Sequence, residues 1–226
     1  PSSFPWEQEG LDYVRARLGS WARKAWANSE FVTLDGGLYE VDLLVLTRER
    51  LYLVEIKSFP GHLKGDGTTW YLRKGDRVQV MDSPLPLANR KAKYLKGLLA
   101  QQPAYRTSAG KVPYVEALVF LSSPELQCDL ESYAVAHVTV RDELAAPPQP
   151  GIIRALEGGL RPGPPLDRGD LRRVQQALAE AGVRPLQKSR TVGDYRLGEL
   201  LGEGPGYQDR LGEHQALEGV TRRVRH

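Results

Sequence analysis

The sequence predicts an α/β fold in which a mixed β-sheet is flanked by helices. Two strands within residues 39–58 and a third at 114–121 are apolar on both faces, which is typical of strands buried in a sheet. Apolar residues recur at helical spacing in residues 6–26 and 87–102. Strands that alternate with helices favour this class, and 226 residues with 41% hydrophobic content suffice for one ordinary domain and a smaller unit.

The first predicted helix, 6–26, carries an apolar stripe that should pack on the sheet. Glu7 falls on this stripe, whereas Glu9 falls on the opposite side. Glu7 is therefore the better candidate for a carboxylate that reaches a buried site. The alternative is an acidic residue that only favours the helix N-terminus through the helix dipole. A short strand is expected next, at 31–34, before a turn at 35–37.

Residues 39–58, YEVDLLVLTRERLYLVEIKS, predict two buried strands joined by a tight polar turn. Asp42, Glu55 and Lys57 lie inside these apolar strands. An unpaired charge in such a place costs roughly several kcal/mol or more. These groups are therefore expected to be paired, to hold a metal or to line a cleft.

Of pairing, a metal site and a cleft, the register of this hairpin favours the metal site. A turn centred between Arg48 and Glu49 places Asp42 opposite Glu55, and Lys57 shares the face of Glu55. Carboxylates about 5 Å apart across two strands repel each other unless a divalent cation lies between them. Asp followed by Glu-x-Lys is the spacing of a metal-dependent phosphodiesterase. We therefore expect Mg²⁺ or Mn²⁺ on Asp42 and Glu55, with Lys57 as catalytic cation.

A plainer interpretation stays open. The same register places Glu40 opposite Lys57, so the charges could form a salt-bridge ladder on a strand that is less buried than it looks.

The next segments contain several basic residues. Two short strands, 69–73 and 77–81, lead to the helix 87–102, which has a basic face beside its apolar one. Lys64, Arg90 and Lys91 are candidates for contacts with a nucleic-acid backbone, because most such contacts go to phosphates. Ordinary solvated charges would give the same pattern.

The segments GGLYEVDLLVL and LYLVEIKSFPG, an isolated Trp70 and the helix SPLPLANRKAKYLKGLL together resemble the nuclease-related domain (NERD) family, a branch of the PD-(D/E)XK nuclease superfamily. The resemblance covers residues 5–125. It implies a restriction-endonuclease-like sheet, a metal site at Asp42, Glu55 and Lys57 completed by Glu7, and DNA as partner. The family often has Gln in the helix, where this chain offers Asn89 or Lys91 instead.

The composition indicates which partners and which cellular environment to expect. Lys and Arg (31) exceed Asp and Glu (28) by only three, so contact with nucleic acid must come from a local patch. The single cysteine, Cys128, excludes an internal disulfide and fits a reducing cytoplasm. No apolar run is long enough to span a membrane, so no membrane partner is expected. The first residue is Pro and the end falls within a pattern, which suggests a fragment of a longer protein.

After Ala145 the sequence becomes rich in proline, with a short predicted helix between the prolines. Asp167 can cap a second helix at 168–181. We therefore expect a nuclease-related domain at 1–145, an accessory helical segment and linker at 146–190, and a separate unit at 191–226.

The last unit contains DYRLGELLGEGPGYQDRLGEH, which resembles the first strand and glycine-rich loop of a protein kinase. Gly202, Gly204 and Gly206 would let the backbone approach nucleotide phosphates. The segment ends before a strand lysine or a catalytic aspartate, so kinase activity and ATP binding are expected only in a longer parent, a Ser/Thr kinase. A NERD domain followed by a kinase resembles the kinase component of bacterial phage-defence systems of the phage growth limitation or BREX type, whose other components would be partners.

Two functions therefore compete. The first is a divalent-metal-dependent nuclease domain that acts on DNA. The second is a catalytically inactive module that binds nucleic acid or a partner and regulates the attached kinase.

Overall fold

Three β-sheets organise the part of the chain that the computed structural model describes, namely residues 5–107, 110–131, 136–158, 163–186, 191–204 and 207–225. The helices are α1 (Pro5–Arg15), α2 (Leu85–Ala100), α3 (Pro103–Arg106), α4 (Ile152–Gly158) and α5 (Arg168–Glu180), with a 3-10 turn at Asp142–Leu144. The strands are β1 (Lys24–Val32), β2 (Leu38–Leu46), β3 (Leu51–Lys57), β4 (Gly61–Gly65), β5 (Thr69–Lys74), β6 (Arg77–Asp82), β7 (Val115–Leu121), β8 (Leu126–Leu130), β9 (Val138–Val140), β10 (Arg184–Pro185), β11 (Thr191–Val192), β12 (Tyr195–Gly204), β13 (Tyr207–His214) and β14 (Thr221–Arg225).

The central sheet is mixed, as predicted. Its six strands have the order β10-β1-β2-β3-β7-β9, in which β3, β7 and β9 run parallel and the other pairs are antiparallel. The β2–β3 hairpin pairs Leu46 with Leu51 and Leu43 with Val54, which confirms a turn centred between Arg48 and Glu49. Every residue of β3 except Lys57 is buried.

Both faces of this sheet are covered, which explains why its strands are apolar throughout. Leu44 and Leu53 belong to a core shared with α2, α5 and the second sheet, whose order is β6-β5-β4-β8. Val45 and Val54 belong to the opposite core, shared with α1 and α4. The helices α1 and α4 thus lie on one face and α2 and α5 on the other.

The predicted accessory segment, 146–190, contributes to both cores. Ile152 of α4 and Val174 of α5 are fully buried against the central sheet. The capped helix predicted at 168–181 is confirmed, because Asp167 accepts a hydrogen bond from the Asp170 amide and forms a capping box with it. The two helices are therefore part of the packing of the main domain, and the boundary at 145 stays a prediction.

The first helix was predicted too long. It ends at Arg15, and the strand expected at 31–34 begins already at Lys24. Gly19 and Ser20 are weaker helix formers than the residues around them. Residues from Lys24 onwards also gain a continuous antiparallel ladder with β2, which outweighs their helical periodicity. Trp26 is thus a strand residue that packs on the core.

The C-terminal residues form a third sheet of order β11-β12-β13-β14. In the β12–β13 hairpin Gly202 lies opposite Asp209 and Gly204 opposite Tyr207. Gly206, which the sequence assigns to the same glycine-rich loop, lies outside the described residues.

A buried ion pair anchors the start of the two central parallel strands. Arg50 Nη1 lies 2.5 Å from Glu116 Oε2, and both side chains are at most 5% exposed. Burial alone would raise the pKa of Glu116, but hydrogen bonds from His137 and Arg50 outweigh it, so the pKa lies below its ordinary value. The ionised carboxylate is therefore the native form.

We expect Glu116→Gln to lower the free energy of unfolding by about 3 kcal/mol, because it removes the buried carboxylate that pairs with Arg50 and leaves this charge only its longer contact with Glu49. Urea denaturation measures the loss. The exposed Glu125 provides a matched control, since Glu125→Gln should change stability by no more than about 0.5 kcal/mol. Because the pKa of Glu116 is lowered, its contribution is present above the ordinary glutamate pKa and is lost as pH falls through the lowered value. Equal effects of the two substitutions would contradict this role.

Candidate functional site

The site begins where the β2–β3 ladder ends. Beyond the Leu43–Val54 pair, the Ile56 amide donates a hydrogen bond to Asp42 Oδ2 (2.6 Å). Glu55 is only 5% exposed, whereas Asp42 is partly buried. The hairpin therefore brings both carboxylates to one end of the pair of strands, as their register predicts.

A lysine from α2 lies between Glu55 and the main chain of β2. Lys91 Nζ is 2.5 Å from Glu55 Oε1 and 2.7 Å from the Glu40 carbonyl oxygen. Its side chain is 7% exposed, so Lys91 belongs to the interior of the site and not to an outer surface that contacts nucleic acid, which corrects that expectation. A lysine on the apolar face of a predicted helix was the signal for this position. Of Asn89 and Lys91, the two polar candidates on this helix, Lys91 is the one that contacts Glu55.

Lys57 extends towards the C-terminal sheet. Its Nζ lies 3.4 Å from Glu199 Oε1, and its side chain is 26% exposed. Burial lowers the pKa of Lys57, but the charges of Glu55, Asp42 and Glu199 outweigh burial and hold the pKa above its ordinary value. Lys57 is therefore a cation at neutral pH.

The Glu40–Lys57 ladder considered from the sequence is not what the structure shows. Glu40 Oε1 instead accepts a hydrogen bond from Arg210 Nη1 at 2.7 Å. The C-terminal sheet thus supplies a partner to each of these two residues. A ladder confined to the hairpin does not account for their charges.

The pKa of Asp42 responds strongly to its surroundings. Its pKa lies well above the ordinary value because of burial and the charges of Glu55 and Glu7, which Lys57 and Lys91 offset only in part. Protonation or a nearby cation would relieve this repulsion.

Glu7 reaches this region because α1 packs closely on the sheet. A Cβ at Gly10, one turn after Glu7, would meet Ile56 Cγ2 at 2.7 Å and Ser122 Cβ at 2.9 Å, so glycine permits the close approach of the helix. Glu9 lies on the other side, where it pairs with Arg141 (2.5 Å). The structure therefore separates the two acids in the way their helical positions predict.

The remaining candidates lie farther out. Lys64 on β4, and Arg90 and Asn89 on α2, are exposed, and a role in nucleic-acid contact stays a prediction for Lys64 and Arg90. Sequence reasoning missed Glu199 and Arg210. Glu199 stands among leucines in LGELL, the same kind of charge in an apolar strand that identified Asp42. Arg210 had no local signal.

The donor groups of the site suit a hard divalent cation. Two repelling carboxylates, Asp42 and Glu55, provide the oxygen ligands that Mg²⁺ and Mn²⁺ prefer. Within the described ranges, no group of three or more His, Cys, Asp or Glu side chains is arranged to hold a metal. An ion at this position would therefore complete its coordination with water or phosphate oxygens, which is usual for Mg²⁺.

The sequence of this region matches a known protein family. Residues 3–122, more than half of the chain, match the nuclease-related domain (NERD) family, and the chain belongs to that family. The mixed sheet flanked by helices is consistent with its restriction-endonuclease-like fold.

A particular relative extends the similarity to the C-terminal sheet. The chain is 32% identical over 233 residues to "Probable kinase PglW" of Streptomyces coelicolor, a match that covers 98% of this chain and 14% of that protein. The chain thus spans about a seventh of the length of this relative. No solved structure matches the protein. None of the helices within the described residues is long and apolar enough to cross a membrane.

We expect Asp42→Asn to raise the melting temperature of the metal-free protein at neutral pH. Because the pKa of Asp42 is raised, stability falls as pH rises from the ordinary aspartate pKa to the raised one, and Asn removes this loss. A rise of about 3 °C corresponds to roughly 1 kcal/mol for a domain of this size. Melting curves with EDTA and with Mg²⁺ measure the effect. The order of the two proteins should reverse with Mg²⁺, and an unchanged order would show that Asp42 is not a ligand.

Proposed function

We propose that this NERD domain is a divalent-metal-dependent nuclease that hydrolyses DNA phosphodiester bonds. The observation that carries the proposal is the convergence of Asp42, Glu55 and a cationic Lys57 at one end of a buried hairpin, where burial and the charges of Glu55 and Glu7 raise the pKa of Asp42. Structural ion pairs normally lower the pKa of a carboxylate, so two acidic neighbours that help to raise the pKa of Asp42 favour a site that binds a cation.

The residues would divide the work as follows. Asp42 and Glu55 would hold the metal, and Glu7 would add negative charge beside them. The metal, when bound, supplies Lewis-acid polarisation and a water of lowered pKa. Lys57 remains protonated, so it would stabilise the charge that develops on the phosphate and would not act as the general base. Lys91 orients Glu55 through their ion pair.

Contacts with the DNA backbone would come from exposed cations around the site. Lys64 and Arg90 are exposed and basic, which fits phosphate contacts that position the duplex without reading its sequence. We propose no such role for Lys91, because it is buried against Glu55.

A second candidate function has one specific observation in its favour. Lys91 forms an ion pair with Glu55, and Glu199 forms one with Lys57. Such internal pairing would suit a module that binds nucleic acid or a partner and regulates an attached kinase without cleaving anything.

We also propose a longer parent protein. The similarity to a protein named as a probable kinase supports a Ser/Thr kinase that would act in bacterial phage defence with other components of that system. Gly202 and Gly204 lie in a β-hairpin, which supports its interpretation as the start of the kinase domain. ATP would bind only in the full-length parent.

We expect Lys57→Ala to reduce Mg²⁺-dependent cleavage of plasmid and linear DNA by about 100-fold or more, because a lysine that stabilises transition-state charge contributes a few kcal/mol to the rate. The variant should stay folded, since Glu55 keeps its partner Lys91. Lys111→Ala, at an exposed lysine outside the site, serves as the matched control. If the wild type binds no divalent ion and cuts no DNA, the nuclease function is refuted and the regulatory one takes its place.

Lys91→Ala, in contrast to Lys57→Ala, should act mainly on stability. It leaves the Glu55 carboxylate buried without its hydrogen-bonded ion-pair partner, which should destabilise the metal-free protein by roughly 3 kcal/mol. Mg²⁺ should restore part of this loss, because the ion would supply the missing positive charge. Thermal melts with EDTA and with Mg²⁺ test this, and a loss that Mg²⁺ does not reduce would argue against metal binding at Glu55.

A further inference from the structure

The C-terminal sheet is held against the nuclease-like domain by a buried arginine. Arg210 of β13 is 1% exposed and donates to the Leu38 carbonyl oxygen (2.7 Å) and to Glu40 Oε1 (2.7 Å). Next to it, Gln208 Oε1 accepts a hydrogen bond from the Leu38 amide (3.2 Å). The sheet is therefore docked on β2, the strand that carries Asp42.

An irregularity in β12 directs Glu199 towards the site. Leu197 pairs with Gly212 and Leu200 with Arg210, so Gly198 and Glu199 on β12 face a single residue on β13. Such bulges re-aim side chains. The Gly198 carbonyl accepts a hydrogen bond from Arg210 (3.0 Å), which ties the bulge to the same arginine that docks the sheet.

The bulge brings two opposite charges together. Glu199 Oε1 lies 3.4 Å from Lys57 Nζ, although these residues are 142 positions apart in the chain. A carboxylate and a phosphate present the same kind of anionic oxygen to an ammonium group. Glu199 therefore occupies one of the positions that a backbone phosphate would take to contact Lys57.

We propose that Glu199 gates the site: the docked C-terminal sheet masks Lys57, and DNA must displace this carboxylate to bind. The inference rests on the proposed function, because it assigns Lys57 to phosphate. The Glu199 side chain is 59% exposed, and exposed ion pairs are weak, so substrate can displace it. Movement of the C-terminal sheet would change access to the site, which would couple it to whatever follows in the parent protein.

The contact can be tested with a carbodiimide, which joins an amine to a carboxylate only when they touch. In the metal-free protein we expect a Lys57–Glu199 cross-link, detected by peptide mass spectrometry. An excess of a short DNA duplex in EDTA should suppress it. Absence of the cross-link, or its persistence with bound DNA, would overturn the gate.

Affinity for the same duplex in EDTA gives the second measurement. E199Q should bind it about 3- to 10-fold more tightly than the wild type, because the competing anion is gone. E213Q removes the same charge from an exposed position on β13 and should change affinity less than about twofold. Equal effects of the two variants, or no binding by E199Q, would refute the gate.

Cleavage in Mg²⁺ separates the two proposals. If Glu199 controls DNA binding but no variant cuts DNA, the gate stands and the nuclease function fails. If the wild type cuts DNA and E199Q matches it in both binding and cleavage, the nuclease function stands and the gate fails.

Discussion

The repulsion between Asp42 and Glu55 at the end of the β2–β3 hairpin is the constraint on which the rest of the site depends. Placing two carboxylates together in a sheet that is covered on both faces is unfavourable unless positive charge or hydrogen-bond donors reach them. The protein supplies these groups from other parts of the chain. Lys91 contacts Glu55, the Ile56 amide donates to Asp42, and Lys57 lies close enough to influence both acids.

The surrounding elements are arranged around these charges. The close contact that Gly10 permits brings α1, and with it the Glu7 charge, near Asp42. Helix α2 packs on the other face of the sheet and extends Lys91 through the core to Glu55. Because α4 and α5 also bury their apolar sides on the central sheet, the rigidity of the hairpin comes from the whole domain.

The C-terminal sheet lies outside residues 3–122, the part of the chain that matches the nuclease-related domain. Arg210 attaches it to β2, and the same sheet positions Glu199 beside Lys57. An ionic contact thus joins the candidate site to a separate sheet. In a relative whose name denotes a kinase, the matched segment is only 14% of the chain.

The local features follow from the residues of each segment. Apolar strands, the turn between Arg48 and Glu49 and the period of two residues per strand are enough to place Asp42, Glu55 and Lys57 together, and the capped helix after Asp167 follows from its own residues. The strand after Arg15 and the distant partners of the hairpin depend on tertiary packing. The region after Arg15 became a strand because pairing with β2 was available, and Lys91, Glu199 and Arg210 met the hairpin from positions distant in the chain. Local periodicity encodes which face a side chain takes, whereas the partner of a buried charge depends on which distant element packs against it.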